Sequence, residues 1–281
     1  MNRAWKQRNG AKVRLAARNA KLIREAIKES FNTGTIVDDF VAMNFQTLTP
    51  EQARSWTTTN VRTNNDALSA ALRRIYLEGF ALGEDVAMNA ISKAKINKAP
   101  TLEQLRRATN INWATWRAGN KPAALLVRKP RGLSNLLDNR GITIQGINQT
   151  TLDRLGTILA RALEKGWSPS EIKDEVGDLI DADSERALTI AQTETSRAVT
   201  TASRQLYEES GVELVEWIVA DPCDLCQENA DVSPIRIDET FPSGDTEPPA
   251  HPNCVCDISP YVVDTRNIGD DALSMILGDG E

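Results

Sequence analysis

Five side chains carry most of the chemistry legible in this 281-residue chain. They are Cys223, Cys226, His251, Cys254 and Cys256, which are all the cysteine and histidine it has. Cys223-x2-Cys226 sets two sulfurs in one turn, and twenty-four residues later His251-x2-Cys254-x-Cys256 adds an imidazole and two more sulfurs. A CxxC turn can hold two thiolates about 2.3 Å from one ion, and a second His/Cys element closes the tetrahedron. Thiolate and imidazole are the donors that suit zinc. The loop between the two halves has few apolar residues, so a metal would supply folding free energy there. The spacing therefore predicts a structural zinc knuckle. Disulfides and free buried thiols are the alternatives. Five donors compete for four places, and Cys254 and Cys256, two apart, are expected on opposite faces of a strand.

Catalytic readings of the same residues are incomplete. Pro222-Cys223-x2-Cys226 matches half of the zinc deaminase signature, but the upstream His-x-Glu is missing. There is no His-Glu-x-x-His, no GxxxxGK[ST] loop and no GxGxxG. A hydrolase triad would have to use His251. A zinc-dependent hydrolase or nuclease, the alternative function, needs an open coordination position beside a carboxylate such as Glu247 or Asp257.

Composition bounds the rest. Hydrophobic residues make up 41% and charged residues 26%, which suits a folded chain rather than a disordered one. No run approaches the ~18–20 apolar residues of a membrane helix, and the basic N-terminus lacks the apolar stretch of a secretory signal. The expectation is a protein made in a cytosol, where disulfides are disfavoured, with no membrane partner. The net charge of −6 hides an asymmetry. Residues 1–30 hold nine Lys/Arg and two Glu, whereas residues 208–281 hold two Arg and eighteen acids. A basic arm from Arg3 to Lys28 suggests nucleic acid or an acidic protein surface, with a solvated helix as the plain alternative. The acidic C-terminal end disfavours phosphate contact.

Residues 1–30 read as a helix, with Leu15, Leu22, Ile23, Ala26 and Ile27 at helical spacing. Residues 31–65 are a weaker stretch, although Thr49-Pro50-Glu51-Gln52 has the form of a helix start. Asp66 is expected to cap a helix over residues 66–95, where Gly79 and Gly83 suggest close packing of another helix. Thr101–Gln104 starts a short helix, and Trp113 and Trp116 share a core-facing side. Lys121-Pro122 and Lys129-Pro130-Arg131-Gly132 mark loops, and Gly141–Gly146 is expected to form a short strand. From Thr150 a helix runs to Lys165, closed by Gly166. Ser168-Pro169-Ser170-Glu171 opens a second as a capping box, and a third spans Ser184 to about Gly211. Val212–Val219 reads as a strand, Val255–Val263 as a second, and Ala272–Leu277 as a small helix.

The run Ala187-Leu188-Thr189-Ile190-Ala191-Gln192-Thr193-Glu194, then Tyr207, Gly211, Trp217, Cys223-Asp224-Leu225-Cys226 and His251-Pro252-Asn253-Cys254-Val255-Cys256, closely resembles the phage Mu F-like head-morphogenesis (minor capsid) proteins. The resemblance covers about residues 150–260. Val255 departs from it, standing where the family usually has Arg. The resemblance implies a component of a tailed-phage virion, placed in the capsid near the portal vertex and assembled in the host cytoplasm. Its partners would be the portal protein, the major capsid protein and, through the basic arm, packaged DNA. It would act in head assembly, DNA packaging or DNA exit, without enzymatic activity. Carried over, Cys223, Cys226, His251, Cys254 and Cys256 are the knuckle ligands, and Arg186, Thr193 and Glu194 are the helix signature, with Thr193 and Glu194 read as a buried polar pair fixing the helix against the strand. The expected fold is mainly α: a helical docking region over 1–145, a small α+β domain over 146–263 with the Cys/His metal knuckle, and an acidic tail over 264–281.

Overall fold

The computed structural model describes residues 3–94, 130–181, 184–219 and 222–261. Thr101–Gln104, Trp113, Trp116, Lys121-Pro122 and the tail with Ala272–Leu277 lie outside these residues. The described elements, in chain order, are α1 (Arg3–Ser30), α2 (Thr33–Ala42), a single 3-10 turn (Phe45–Thr47), α3 (Pro50–Asn60), α4 (Asp66–Lys93), α5 (Arg131–Lys165), α6 (Pro169–Asp181), α7 (Ser184–Glu209), β1 (Leu214–Ile218), α8 (Asp224–Asp231), β2 (Ile235–Arg236) and β3 (Asp257–Tyr261). The mainly α architecture with a small C-terminal sheet matches the sequence expectation.

Local chemistry accounts for most helix ends. Thr49 caps α3, and its side chain and that of Gln52 exchange hydrogen bonds with each other's backbone N–H. Ser168 opens α6 in the same way: Glu171 N–H donates to the Ser168 hydroxyl, and Ser168 N–H donates to the Glu171 carboxylate at 2.7 Å. The Ser168 N–H and the Ser168 hydroxyl, which both donate to that carboxylate, hold it below its ordinary range. Gly166 closes α5 at φ 66°, the left-handed conformation that costs glycine little. Asn65 rather than Asp66 occupies the cap position of α4.

Two expectations are corrected. The segment Gly141–Gly146 is helical, not a strand, and α5 runs unbroken from Arg131 through Thr150. The β-branched run Ile142-Thr143-Ile144 favours a strand locally. Helical phase, however, buries Ile144, Ile147, Leu155 and Leu159 on one face and leaves only Ile142, at 72% exposure, outside. Burying each aliphatic side chain stabilises by about 1.5–3 kcal/mol, which outweighs a local strand preference of about 1 kcal/mol. Residues 31–65, read as weak, carry α2 and α3, which bury Phe40, Phe45 and Trp56 as an aromatic cluster with centroids 5.1–5.3 Å apart.

One apolar core joins α1, α2, α3, α4, α5, α6 and α7, so the boundary placed at 145/146 falls inside α5 and across shared packing. α4 and α7 form its axis. Gly79 and Gly83 bring α4 against Ala198, Val199 and Ala202 of α7, and the Ser203 hydroxyl donates to the Gly83 carbonyl at 3.1 Å. α1 is tied to α4 through buried Glu78, which accepts from Arg18 at 2.6 Å, Asn19 at 3.2 Å and Arg74 at 3.0 Å. The basic N-terminal segment is thus a packed helix, with Arg14 and Lys21 on its outer side and Lys12 inside. A second core sits at the C-terminal ends of α4 and α7 and carries the three-stranded antiparallel sheet, ordered β2-β1-β3. Trp217 pairs with Ile258 across β1 and β3, and its ring packs edge-on against Phe241 at 4.9 Å.

Candidate metal centre

The knuckle stands on this second core. β1 ends just before the described Pro222-Cys223 turn, and Cys223 is the cap residue of α8. One helical turn later, Cys226 points inward at 1% exposure. The second half arrives on the turn His251–Asn253, where Asn253 takes φ 64°. Asparagine is among the few residues other than glycine that tolerate that conformation. The Asn253 N–H donates to the Thr193 hydroxyl at 3.0 Å, which fastens the turn to α7. Cys254 and Cys256 follow, 2% and 3% exposed.

These side chains converge. His251 Nε2 lies 3.3 Å from Cys223 Sγ and 3.3 Å from Cys226 Sγ, and Cys226 Sγ lies 3.7 Å from Cys254 Sγ. Donor atoms of Cys223, Cys226 and His251 lie within 4.8 Å of one another, as do those of Cys226, Cys254 and Cys256, so Cys226 belongs to both groups. The expectation that Cys254 and Cys256 face opposite ways is corrected. Both precede β3, in irregular backbone where strand alternation does not apply, and both turn toward Cys226. All four cysteines are free thiols, and the 3.7 Å sulfur pair is far from the ~2.05 Å of an S–S bond.

The three separations are close to the edges of a tetrahedral site, although the donors fall into two groups joined at Cys226. Bonds of about 2.3 Å to sulfur and 2.0–2.1 Å to nitrogen imply S···S edges of roughly 3.8 Å and S···N edges of roughly 3.5 Å. The imidazole is set for it. Nδ1 donates to the Pro252 carbonyl at 2.9 Å, which leaves the Nε2 lone pair facing the sulfurs. Burial lowers the His251 pKa, but that hydrogen bond and the charges of Cys254 and Cys223 outweigh it and leave the pKa raised. The Cys226 N–H holds the exposed Cys223 thiol below its ordinary value. A hydrogen bond from Cys256 and backbone donors hold Cys254 down to about 5. Burial pushes Cys226 up to about 12, and the hydrogen bond with Cys254 together with burial raises Cys256. The set could hold a metal ion, and a cation bound there would have to displace the protons of the two thiols whose pKa is raised.

The loop between the halves holds itself better than its composition suggested. Phe241 is 2% exposed, and buried Asn229 donates to the Ser243 hydroxyl and accepts from Ser243 N–H, each at 3.0 Å. A lone aromatic in a Pro-rich segment was the available signal for Phe241; Asn229 gave none. Of the two carboxylates an enzymatic reading would use, Asp257 faces Lys12 at 3.8 Å, while Glu247 accepts from Thr201 at 3.0 Å and lies 3.7 Å from Arg204.

The helix signature residues have separate anchoring roles. Arg186 donates to the Thr151 hydroxyl at 2.9 Å and the Ile147 carbonyl at 2.8 Å, locking α7 to α5. Thr193 holds the knuckle turn, but Glu194 reaches α4 rather than the sheet: it accepts from the Tyr76 hydroxyl at 2.7 Å. Burial and the Glu194 charge push the Tyr76 pKa above its ordinary value, so Tyr76 remains the donor. Tyr76→Phe should lower stability by about 2 kcal/mol, because a buried carboxylate loses its neutral donor. A urea unfolding midpoint equal to the wild type would show that Arg197, 3.6 Å from Glu194, suffices alone.

The fold and site together define a helical scaffold carrying a Cys/His cluster that could hold a metal ion. Residues 153–259 match the family model described as Phage Mu protein F like protein, so this segment is similar to that family. The match runs from within α5 to within β3 and so contains every knuckle residue. No curated protein and no solved structure matches the chain. No helix among the described residues is long and apolar enough to cross a membrane.

Proposed function

We propose that this protein is a minor head-morphogenesis component of a tailed phage that associates with the portal, contacts the major capsid protein and acts in head assembly, DNA packaging or DNA exit. The family match over residues 153–259 carries this reading. A structural zinc ion held by Cys223, Cys226, His251 and Cys254 belongs to it; three separations among them, 3.3, 3.3 and 3.7 Å, support the set, with Cys226 as the donor common to both close groups. Cys256 is the spare thiol beneath them. Bound there, zinc would fix the two halves of the knuckle to each other and, through Asn253 and Thr193, to α7. Four protein donors leave no position for a reacting water, which favours a structural over a hydrolytic role. On the outer side of α1, Arg14 and Lys21 offer positive charge to packaged DNA or to an acidic portal surface.

The test is co-assembly with purified portal and shell protein, followed by sedimentation. Incorporation well below one copy per shell subunit, and dependent on portal, is the expected result. Absence of incorporation by folded, metal-loaded protein would overturn the portal assignment.

A further inference from the structure

Lys12 stands on α1, in a segment that a sequence reading gives to solvent, yet it is 4% exposed. Its Nζ donates to the Cys256 carbonyl at 2.8 Å and lies 3.8 Å from Asp257 Oδ1, itself 1% exposed. With Lys12, Ala16 of α1, Ser196 of α7, Cys254 and Val255 line one small cavity. A buried ammonium is costly unless anions and carbonyls surround it. The residues between which it is set are those of the knuckle's second half. Three thiolates around a divalent cation carry a net charge of −1, and Asp257 adds another, so a filled site is one that a cation in this position stabilises. Between residues 9 and 16, Ala16 is the buried apolar side chain beside Lys12. Val13 is 39% exposed, whereas Ile23, Ala26 and Ile27, further along, lie in the helical core.

From this arrangement we infer that Lys12 is an outer-shell partner of the metal centre and that it couples metal occupancy to docking of the first half of α1. The inference rests on the metal-binding reading above. The coupling is reciprocal: a partner that pulls the basic first half of α1 away must weaken metal binding by the same factor that metal binding strengthens the docking.

The experiment uses the full chain with Zn2+ loaded and then removed by chelation, with zinc content measured at each step. Hydrogen exchange is followed in three segments: residues 9–20, residues 23–30 and α3. Chelation should speed exchange in residues 9–20 at least tenfold and leave the other two protected. Lys12→Met should bind zinc 10- to 100-fold more weakly, the range typical of outer-shell partners. Unchanged exchange in residues 9–20 while zinc is gained and lost would overturn the coupling, as would collapse of all three segments together. Wild-type zinc affinity in Lys12→Met would remove Lys12 from the site. Failure of the wild-type chain to hold zinc at all would overturn the metal reading itself, and zinc content separates that outcome from the others.

Discussion

Gly83→Ala should destabilise this protein by about 2–4 kcal/mol, although alanine is the better helix former by about 1 kcal/mol. A Cβ at position 83 would meet the Val199 carbonyl oxygen at 2.2 Å and Ala202 Cβ at 2.6 Å. The first obstacle is backbone, which cannot rotate away as a side-chain tip can, so α4 and α7 would have to separate along their length. That separation would also stretch the 3.1 Å bond from Ser203 to the Gly83 carbonyl and loosen the Tyr76–Glu194 link along the same pair. The control is Gly146→Ala in α5, where the added methyl meets nothing within 4 Å. That substitution should stabilise by about 0.5–1 kcal/mol. Urea unfolding of both variants checks the pair. A Gly83→Ala midpoint at or above the wild type would mean that the α4–α7 crossing is looser than its interatomic distances.

Cys226→Ser should abolish stoichiometric zinc binding, while Cys256→Ser should keep it. Cys226 belongs to both donor groups, 3.3 Å from His251 Nε2 and 3.7 Å from Cys254 Sγ, so no tetrahedron drawn from these residues omits it cheaply. Structural zinc in small knuckles contributes on the order of 10–16 kcal/mol of binding free energy, so losing a thiolate ligand should remove several kcal/mol from the C-terminal sheet region. Cys256 is outside the proposed set, and its replacement should cost about 1–3 kcal/mol, the price of burying an unpaired hydroxyl. Zinc content and the cobalt(II) charge-transfer spectrum report occupancy; thermal unfolding reports stability. Loss of metal from Cys256→Ser with retention in Cys223→Ser would exchange those two residues in the ligand set. In every variant that binds metal, occupancy should fall as pH falls, because protons compete for the same sulfurs.

The helix starts at Thr49 and Ser168, the left-handed Gly166 and the strand at Leu214–Ile218 were legible because each is settled within a few residues, by a side-chain cap, a glycine conformation or alternation. The Gly79/Gly83 pair also announced a close crossing, since two glycines one turn apart in an apolar helix have a cost that packing must repay. The strand expected at Gly141–Gly146 failed for the opposite reason. Its local preference was outweighed by Ile144 and Ile147 turning onto a core assembled from distant segments.

Alone, the sequence determined the candidate donor set, its two-part spacing, the mainly helical class and the family resemblance, because these depend on residue type and order. Only the tertiary structure decided that Cys254 and Cys256 turn to the same sulfur, that Glu194 reaches Tyr76 on α4, and that Lys12 of a basic helix lies buried against the Cys256 carbonyl. Each of those facts is a contact between segments far apart in the chain. Such contacts are selected by the summed burial of the whole core, and no local window of residues encodes that sum.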